Sequence, residues 1–160
     1  MSDEKKMLAA HLKVEEICAF LKENNTQFTV HENYPITVEF SVRSQDIPIN
    51  LRFIVWAHEE QISMFSVLPI NITEDKCFEM AVAVNHVNTL LRDGFFLFNF
   101  ERRVLAFKLN CGYNNTRIGK NVYKYMVDTA RDHIDFYNEK FFRLTKDSMS
   151  LREFLLSDNM

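Results

Sequence analysis

The spacing of the apolar residues changes between Thr73 and Asn110, and the rest of the chain is organised around this stretch. Apolar residues first recur every three or four positions, which predicts a helix over residues 73–91. Thr73 is a favourable N-cap, and Glu74 and Asp75 place acids near the positive end of the helix dipole. Gly94 is predicted to close the helix, because glycine adopts the left-handed conformation common just past helix ends. The apolar stripe consists of Cys77, Met80, Ala81, Val84, Val87 and Leu91.

After Gly94 the pattern repeats every two residues, which predicts a β-hairpin. Its turn is predicted at Glu101, Arg102 and Arg103. In its second strand, Leu105, Phe107 and Leu109 share one face, and Val104, Ala106 and Lys108 share the other. The first strand is apolar on both faces, with Phe95 and Leu97 on one and Phe96, Phe98 and Phe100 on the other. A strand with one face in water alternates apolar and polar residues. Something should therefore cover the second face of this strand.

The same two spacings of apolar residues recur before and after residues 73–110. They predict further helices and strands, and therefore an α+β fold. A first helix is predicted over residues 4–24, with Lys13 and Glu16 facing water. Strands follow at residues 28–30, 36–42, 47–55 and 62–68, and their short connections indicate antiparallel neighbours. Ser150 and Glu153 form a capping-box pattern that starts a short last helix. A third long helix is predicted over residues 116–138, with a stripe of Ile118, Val122, Tyr125, Met126, Thr129, His133 and Phe136.

Three of the strands carry apolar residues on both faces, which implies a second apolar surface. The outward positions of strand 36–42 are polar, but those of the next two strands become apolar. We predict an antiparallel sheet of five or six strands with helices on one face and an apolar patch on the other. The patch is predicted to be a partner or dimer surface unless the C-terminal helix covers it. Its predicted members are Ile54, Trp56, Phe65, Val67, Phe96 and Phe98.

Length and composition fit one densely packed domain over residues 1–160. The chain is 47% apolar, with fifteen Phe against three Gly and three Pro, and its net charge is only −3. No apolar run approaches the roughly 20 residues of a membrane helix, and residues 1–6 lack the apolar core of a secretion signal. A cytoplasmic location is therefore expected. Cys18, Cys77 and Cys111 are interpreted as reduced, structural thiols because their number is odd and their spacings are unrelated.

Positive charge is concentrated in residues 92–124, which contain seven Lys or Arg against two acids. Such a band can meet an acidic peptide or nucleic acid, although a solvated edge is the simpler interpretation. Phe96 and Phe98 beside Arg102 and Arg103 weakly resemble an RNA-binding surface. The acidic overall balance argues against a nucleic-acid partner.

No local motif predicts a reaction, a metal or a cofactor. The five His show no metal-ligand spacing, and the paired carboxylates are adjacent residues that point apart. The three Gly are scattered, so no phosphate-binding loop forms. An enzyme remains an alternative only if a site assembles from distant residues such as His86, Asp128 and His133.

Short patterns in the second half of the chain resemble a known family. These are Asn85-His86-Val87-Asn88, residues 94–101 (GFFLFNFE), Leu109 to Gly112 followed by Ile118, Val122 and Met126, and Asp135-Phe136-Tyr137. Together with the order helix, three or four strands, helix, two strands, helix, they are similar to the bacterial YbjN-type family of sensory transduction regulators. That family has the type III secretion chaperone-like fold. The turn at residues 101–103 departs from the pattern because it lacks the usual Gly.

The resemblance implies a small, acidic, cytoplasmic binding protein that is often dimeric, and it supplies no catalytic residues. Secretion chaperones hold an extended partner segment on apolar surface beside sheet edges. The leading hypothesis is therefore a non-enzymatic, chaperone-like or regulatory module that binds a peptide or protein, as a homodimer. The alternatives are the small enzyme described above and a structural domain whose apolar surface is all internal core.

Overall fold

The computed structural model describes residues 2–45, 47–114 and 116–157. Within these ranges none of the helices has the length and apolar content that a membrane crossing requires. The α+β class predicted from the sequence is confirmed, and the sheet has six strands. In chain order the elements are α1 (Asp3–Glu23), β1 (Phe28–His31), β2 (Ile36–Val42), β3 (Ile49–Trp56), β4 (Gln61–Val67), a 3₁₀ turn (Glu74–Lys76), α2 (Cys77–Leu90), β5 (Phe95–Asn99), β6 (Val104–Gly112), α3 (Lys120–Thr145) and α4 (Leu151–Leu156).

The six strands form one antiparallel sheet in the spatial order β1-β2-β3-β4-β6-β5. β1 and β5 are therefore the two edges, and the β5–β6 hairpin joins the sheet through β6. The register places Arg52, Phe65, Lys108 and Phe95 opposite one another in a single row across β3, β4, β6 and β5. Because side chains alternate along each strand, this row fixes which residues share a face.

The helices pack on one face of the sheet, which we call the inner face. Phe53 of β3 contacts Tyr123 of α3 with 5.8 Å between ring centroids, and Phe96 of β5 contacts Phe141 of α3 at 5.2 Å. Phe141 in turn packs on Phe154 of α4. The inner-face side chains and the buried sides of the four helices form one hydrophobic core. Burying this surface is the main favourable contribution to folding.

Phe96 and Phe98 lie on the inner face, so the prediction that they share a patch with Trp56 and Phe65 is wrong. Phe96 is 1% exposed, and Phe98 packs against the core. The reason is the hairpin turn, which has four residues instead of three, with Asn99 paired to Val104. A shift of one residue in register moves every side chain of a strand to the other face. The outward residues of β5 are consequently Phe95 and Leu97.

The second helix begins and ends differently from the sequence prediction. Thr73 makes no side-chain cap, and a 3₁₀ turn precedes α2, which starts at Cys77. The helix ends at Leu90, and Leu91 is already extended. Gly94 does adopt a positive φ of 74°, but it leads into β5. A Cβ there would lie 2.3 Å from the ring of Phe107, so close packing as well as backbone conformation requires glycine.

Lys13 was predicted to face water on α1, but the structure buries it to 5% exposure. Its ammonium bonds both carboxylate oxygens of Glu16, at 2.9 and 3.0 Å, and lies 5.9 Å from the centre of the Tyr113 ring. Glu16 also accepts a 2.8 Å hydrogen bond from the Tyr123 hydroxyl. A buried charge is tolerated when it is paired in this way.

The apolar stripe of α3 is also displaced from the prediction. Phe136 and Tyr125 were placed on the buried side, but they are 59% and 47% exposed. The helix is longer than predicted and reaches Thr145, and its buried side is Tyr123, Met126, Ala130, Ile134, Tyr137, Phe141 and Leu144. The last helix agrees with the sequence, because Ser150 and Glu153 form both bonds of the capping box and Phe154 is buried.

Asn88 near the end of α2 ties the edge strand β5 to the helical layer. Its side-chain amide donates to the Phe96 carbonyl at 2.9 Å, and its amide oxygen accepts from the Phe96 N–H at 2.8 Å. The side chain therefore occupies both backbone groups of Phe96 in the manner of a neighbouring strand. An unprotected edge presents such groups to other chains.

We expect Asn88→Ala to lower the free energy of unfolding by about 1–3 kcal/mol, because it leaves the Phe96 backbone groups without partners. Urea unfolding followed by circular dichroism measures the change. Asn85→Ala is the matched control, since Asn85 is exposed on the same helix and gains the same helix propensity. Equal stability of the two variants would show that the Asn88 bonds contribute nothing.

Candidate functional site

The face of the sheet opposite the helices, the outer face, is divided into a polar and an apolar half. Across β1, β2 and the start of β3, its charged side chains satisfy one another. Glu39 accepts from the Arg52 guanidinium at 3.1 and 3.2 Å and lies 3.3 Å from His31 Nε2. The Arg52 guanidinium holds the pKa of Glu39 below its usual value. This half is a solvated surface with its charges balanced.

The other half of the outer face is apolar. Its residues come from the end of β3 and from β4, β5 and β6, and the register places them side by side on one face. We call them the outer apolar patch. Its members are Ile54, Trp56, Phe65, Val67, Phe95, Leu97, Val104 and Ala106.

The outer apolar patch is separate from the core. Ala106 is buried beneath its neighbours, Val67 and Leu97 are 44% and 40% exposed, and the other members are half-buried. None of the eight side chains belongs to the hydrophobic core or packs against it. No helix in the described part of the chain contributes to covering this face.

Trp56 is held in place at one end of the patch. Its indole N–H donates to Ser63 Oγ at 3.1 Å, and the Ser63 hydroxyl donates to Asn110 Oδ1 at 2.7 Å. The ring of Tyr34 meets the indole edge-on, with 6.5 Å between centroids. A large aromatic side chain that is already ordered loses little entropy when another molecule binds to it.

Four of the six residues predicted as a partner surface lie together on the outer face: Ile54, Trp56, Phe65 and Val67. Phe96 and Phe98 do not, because they are in the core. Sequence reasoning missed Phe95 and Leu97, which occupy the position assigned to that pair. The signal that identifies them is Asn99, whose side chain accepts from the Arg102 N–H at 2.8 Å and so starts the turn one residue earlier than predicted.

Lys108 lies in the middle of the apolar half. It is paired across the sheet with Phe65 on one side and Phe95 on the other. Its two neighbours on the same face of β6 are Ala106 and Asn110. Lys108 is half-buried, and no carboxylate in the described ranges pairs with it.

A second concave surface lies between α1 and the start of α3, as a groove of about 800 Å³. Its apolar lining includes Leu12, which is 50% exposed, and Ile118. The floor contains the Lys13–Glu16–Tyr123 network described above. Burial, assisted by the hydrogen bond to Glu16, raises the pKa of Tyr123, and burial raises the pKa of Tyr113 to about 12. Both phenols are therefore protonated at neutral pH.

His86, Asp128 and His133 are the residues considered for an enzyme. Asp128 pairs with Lys124 and Arg131 on its own helix. Three cavities, including a polar one of about 950 Å³ beside β1, contain neither His86, Asp128 nor His133. In the described residues, no group of three His, Cys, Asp or Glu is placed to hold a metal ion.

The surroundings of His133 on α3 lower the pKa of its ring. Its ring lies 5.7 Å from that of Phe107, on the side of α3 that faces the α2–β5 connection. Burial lowers the pKa of His133, although Asp132 and the Asp93 backbone act in the opposite direction. Partial burial of the ring is therefore the main cause of the lowered pKa.

Comparison with known proteins identifies the fold. No family model and no curated protein matches the sequence. A chain in the crystal structure of the ExsC–ExsE complex matches over 80% of this chain and 92% of its own, with a TM-score of 0.57 and 11% identity. YbjN from E. coli, a proposed transcription regulator, matches over 84% and 93%, with a TM-score of 0.57 and 8% identity.

The chain has a YbjN-like, chaperone-like fold. The resemblance stated from the sequence is thereby confirmed at the level of the fold. At 8–11% identity the likeness concerns the fold alone. The function has to be argued from the surface of this chain.

The lowered pKa of His133 predicts that the protein loses stability in mild acid. The unfolded state takes up a proton near pH 6.5, whereas the folded state resists it until a lower pH. The contribution is complete above about pH 6.5 and declines as the pH falls through the folded pKa, by at most about 1.4 kcal/mol per pH unit.

Urea unfolding at pH 7.5 and 5.5 measures this loss in the wild type and in His133→Gln, which cannot be protonated. We expect a smaller loss in His133→Gln. His11→Gln, at an exposed position of α1, is the control and should follow the wild type. An identical pH dependence of all three proteins would contradict the prediction.

Proposed function

We propose that the protein is a non-enzymatic, chaperone-like binding module that holds an extended segment of a partner protein on the outer apolar patch. The observation that carries the proposal is the position of the eight patch residues, which face away from a core that is complete without them. A group of neighbouring apolar side chains that lies outside the core of a folded protein is typical of an interaction site.

The dimensions of the patch suit a short extended segment. From β3 to β5 the patch crosses three inter-strand spacings, or about 14 Å. An extended chain advances about 3.3 Å per residue, so roughly five residues cross the patch. Trp56 and Phe65 supply aromatic contact area of the kind that contributes most to binding energy.

The comparison with known structures supports a protein as the partner. One of the matching chains was crystallised in a complex of two proteins, ExsC and ExsE. That complex does not identify the partner of this chain.

Assembly as a homodimer is part of the proposal, as the sequence resemblance implied. Several large apolar side chains outside the patch are exposed and available for such contacts, among them Phe78 at 73% and Phe136 at 59%. In this arrangement the dimer forms away from the outer apolar patch and leaves it accessible to the partner.

The site is tested by selecting 12-residue peptides from a random display library on the purified protein and measuring their affinities by fluorescence anisotropy. We expect Phe65→Ser and Leu97→Ser to weaken binding about tenfold or more. Phe78→Ser should leave it unchanged, because it makes the same chemical change at an exposed aromatic residue away from the patch. Urea unfolding checks that the three variants remain folded.

Peptides that bind equally well to all the variants would place the binding site elsewhere, for instance in the groove beside α1. Failure to recover any peptide whose binding depends on Phe65 would contradict the proposal itself.

Light scattering after size exclusion, at several concentrations, tests the oligomeric state. We expect a dimer of the wild type and an unchanged dimer of Phe65→Ser. A monomer would contradict the homodimer. A dimer that dissociates in Phe65→Ser would show that the patch is the contact between two copies, and the partner site would then have to lie elsewhere.

A further inference from the structure

We infer that the partner segment presents an Asp or Glu side chain to Lys108, surrounded by apolar side chains that cover the outer apolar patch. This inference rests on the proposed function and specifies the chemistry of the partner. The juxtaposition that carries it is an unpaired ammonium group in the middle of an apolar surface.

The position of Lys108 makes it part of any contact with the patch. Phe65 of β4 and Phe95 of β5 are its direct cross-strand partners, and such partners have Cβ atoms about 5 Å apart. Along β6, Ala106 flanks it on one side and Asn110 on the other. A segment that covers Phe65 and Phe95 therefore passes over Lys108 as well.

The other charged groups of the outer face already have partners. Glu39 lies between Arg52 and His31 and bonds both of them. Lys108 is the remaining ionisable side chain on the described strands of this face, and it has no carboxylate within the described ranges. The polar half is thus neutralised within the chain, and the apolar half is not.

Desolvation decides what the partner must supply. A wholly apolar segment laid over the patch would remove water from the Lys108 ammonium without replacing the lost hydrogen bonds, which is costly. A carboxylate at that position replaces them with a charge-assisted bond in a surrounding that water no longer screens. Binding then selects segments with an acid in register with the apolar residues.

A protein carboxylate fits this site better than the phosphates of a nucleic acid. Single-stranded nucleic acids bind along grooves that offer several cations together with stacking platforms. Among the described residues, the apolar half of the outer face offers one cation, and five of its eight apolar members are aliphatic, namely Ile54, Val67, Leu97, Val104 and Ala106. Aliphatic side chains suit a polypeptide with apolar residues.

The display selection tests the inference when it is repeated with Lys108→Glu and Lys108→Met. Peptides selected on the wild type are expected to carry Asp or Glu at one fixed position. Changing that acid to Gln or Lys should weaken binding roughly tenfold or more. Lys108→Glu should prefer peptides with Lys or Arg at the same position, and Lys108→Met should lose the distinction between Glu and Gln.

Arg102→Glu is the matched control, because it makes the same change in net charge at an exposed turn residue of the same hairpin. It should preserve the preference for an acid. An effect equal to that of Lys108→Glu would mean that net charge alone is responsible and would overturn the inference.

The remaining outcomes separate the inference from the function on which it rests. Peptides that depend on Phe65 but show no acid preference, and that bind Lys108→Glu as tightly as the wild type, overturn the inference and leave the proposed function intact. The loss of every Phe65-dependent peptide contradicts both. Binding of a labelled single-stranded RNA 12-mer that is lost in Lys108→Glu would assign the site to nucleic acid and overturn the inference.

Discussion

The structure depends on the packing of one long helix across the inner face of the sheet. Tyr123 near the start of α3 meets Phe53, and Tyr137 and Phe141 near its end meet Phe96. Strands that are distant in the sheet are thus joined through a single rigid element. Close-packed aromatic contacts of this kind fix both the position of the helix and the face that each strand turns towards it.

Placing every helix on one side has a direct effect on the other side. The helices α1, α2, α3 and α4 cover the inner face. The core is therefore complete without the apolar residues of the outer face. A sheet with only one buried face carries polar residues on its other face, as β1 and β2 do on the outer face. The apolar half is therefore a property of the sequence that the internal stability of the fold does not explain.

The sequence pattern is informative about the elements and less so about their faces. Alternation located all six strands and gave the correct outward residues of β2, β3 and β4, because the outward face of each of these strands begins with a polar residue. In β5 both sets are apolar, so alternation cannot decide between Phe95 and Phe96. The turn decides it, and the hydrogen bond from the Arg102 N–H to Asn99 that fixes the turn is a local detail. The burial of Lys13 could not be predicted from local spacing either. It depends on Glu16 and on Tyr123, which lies more than a hundred residues away.

The bonds between Asn88 and Phe96 make the two edges of the sheet unequal. At β5, an added strand would first have to displace the Asn88 amide, which already occupies both backbone groups of Phe96, the second residue of the strand. At the opposite edge, β1 pairs with β2 alone among the described strands. An added strand therefore meets this obstacle at β5 and not at β1.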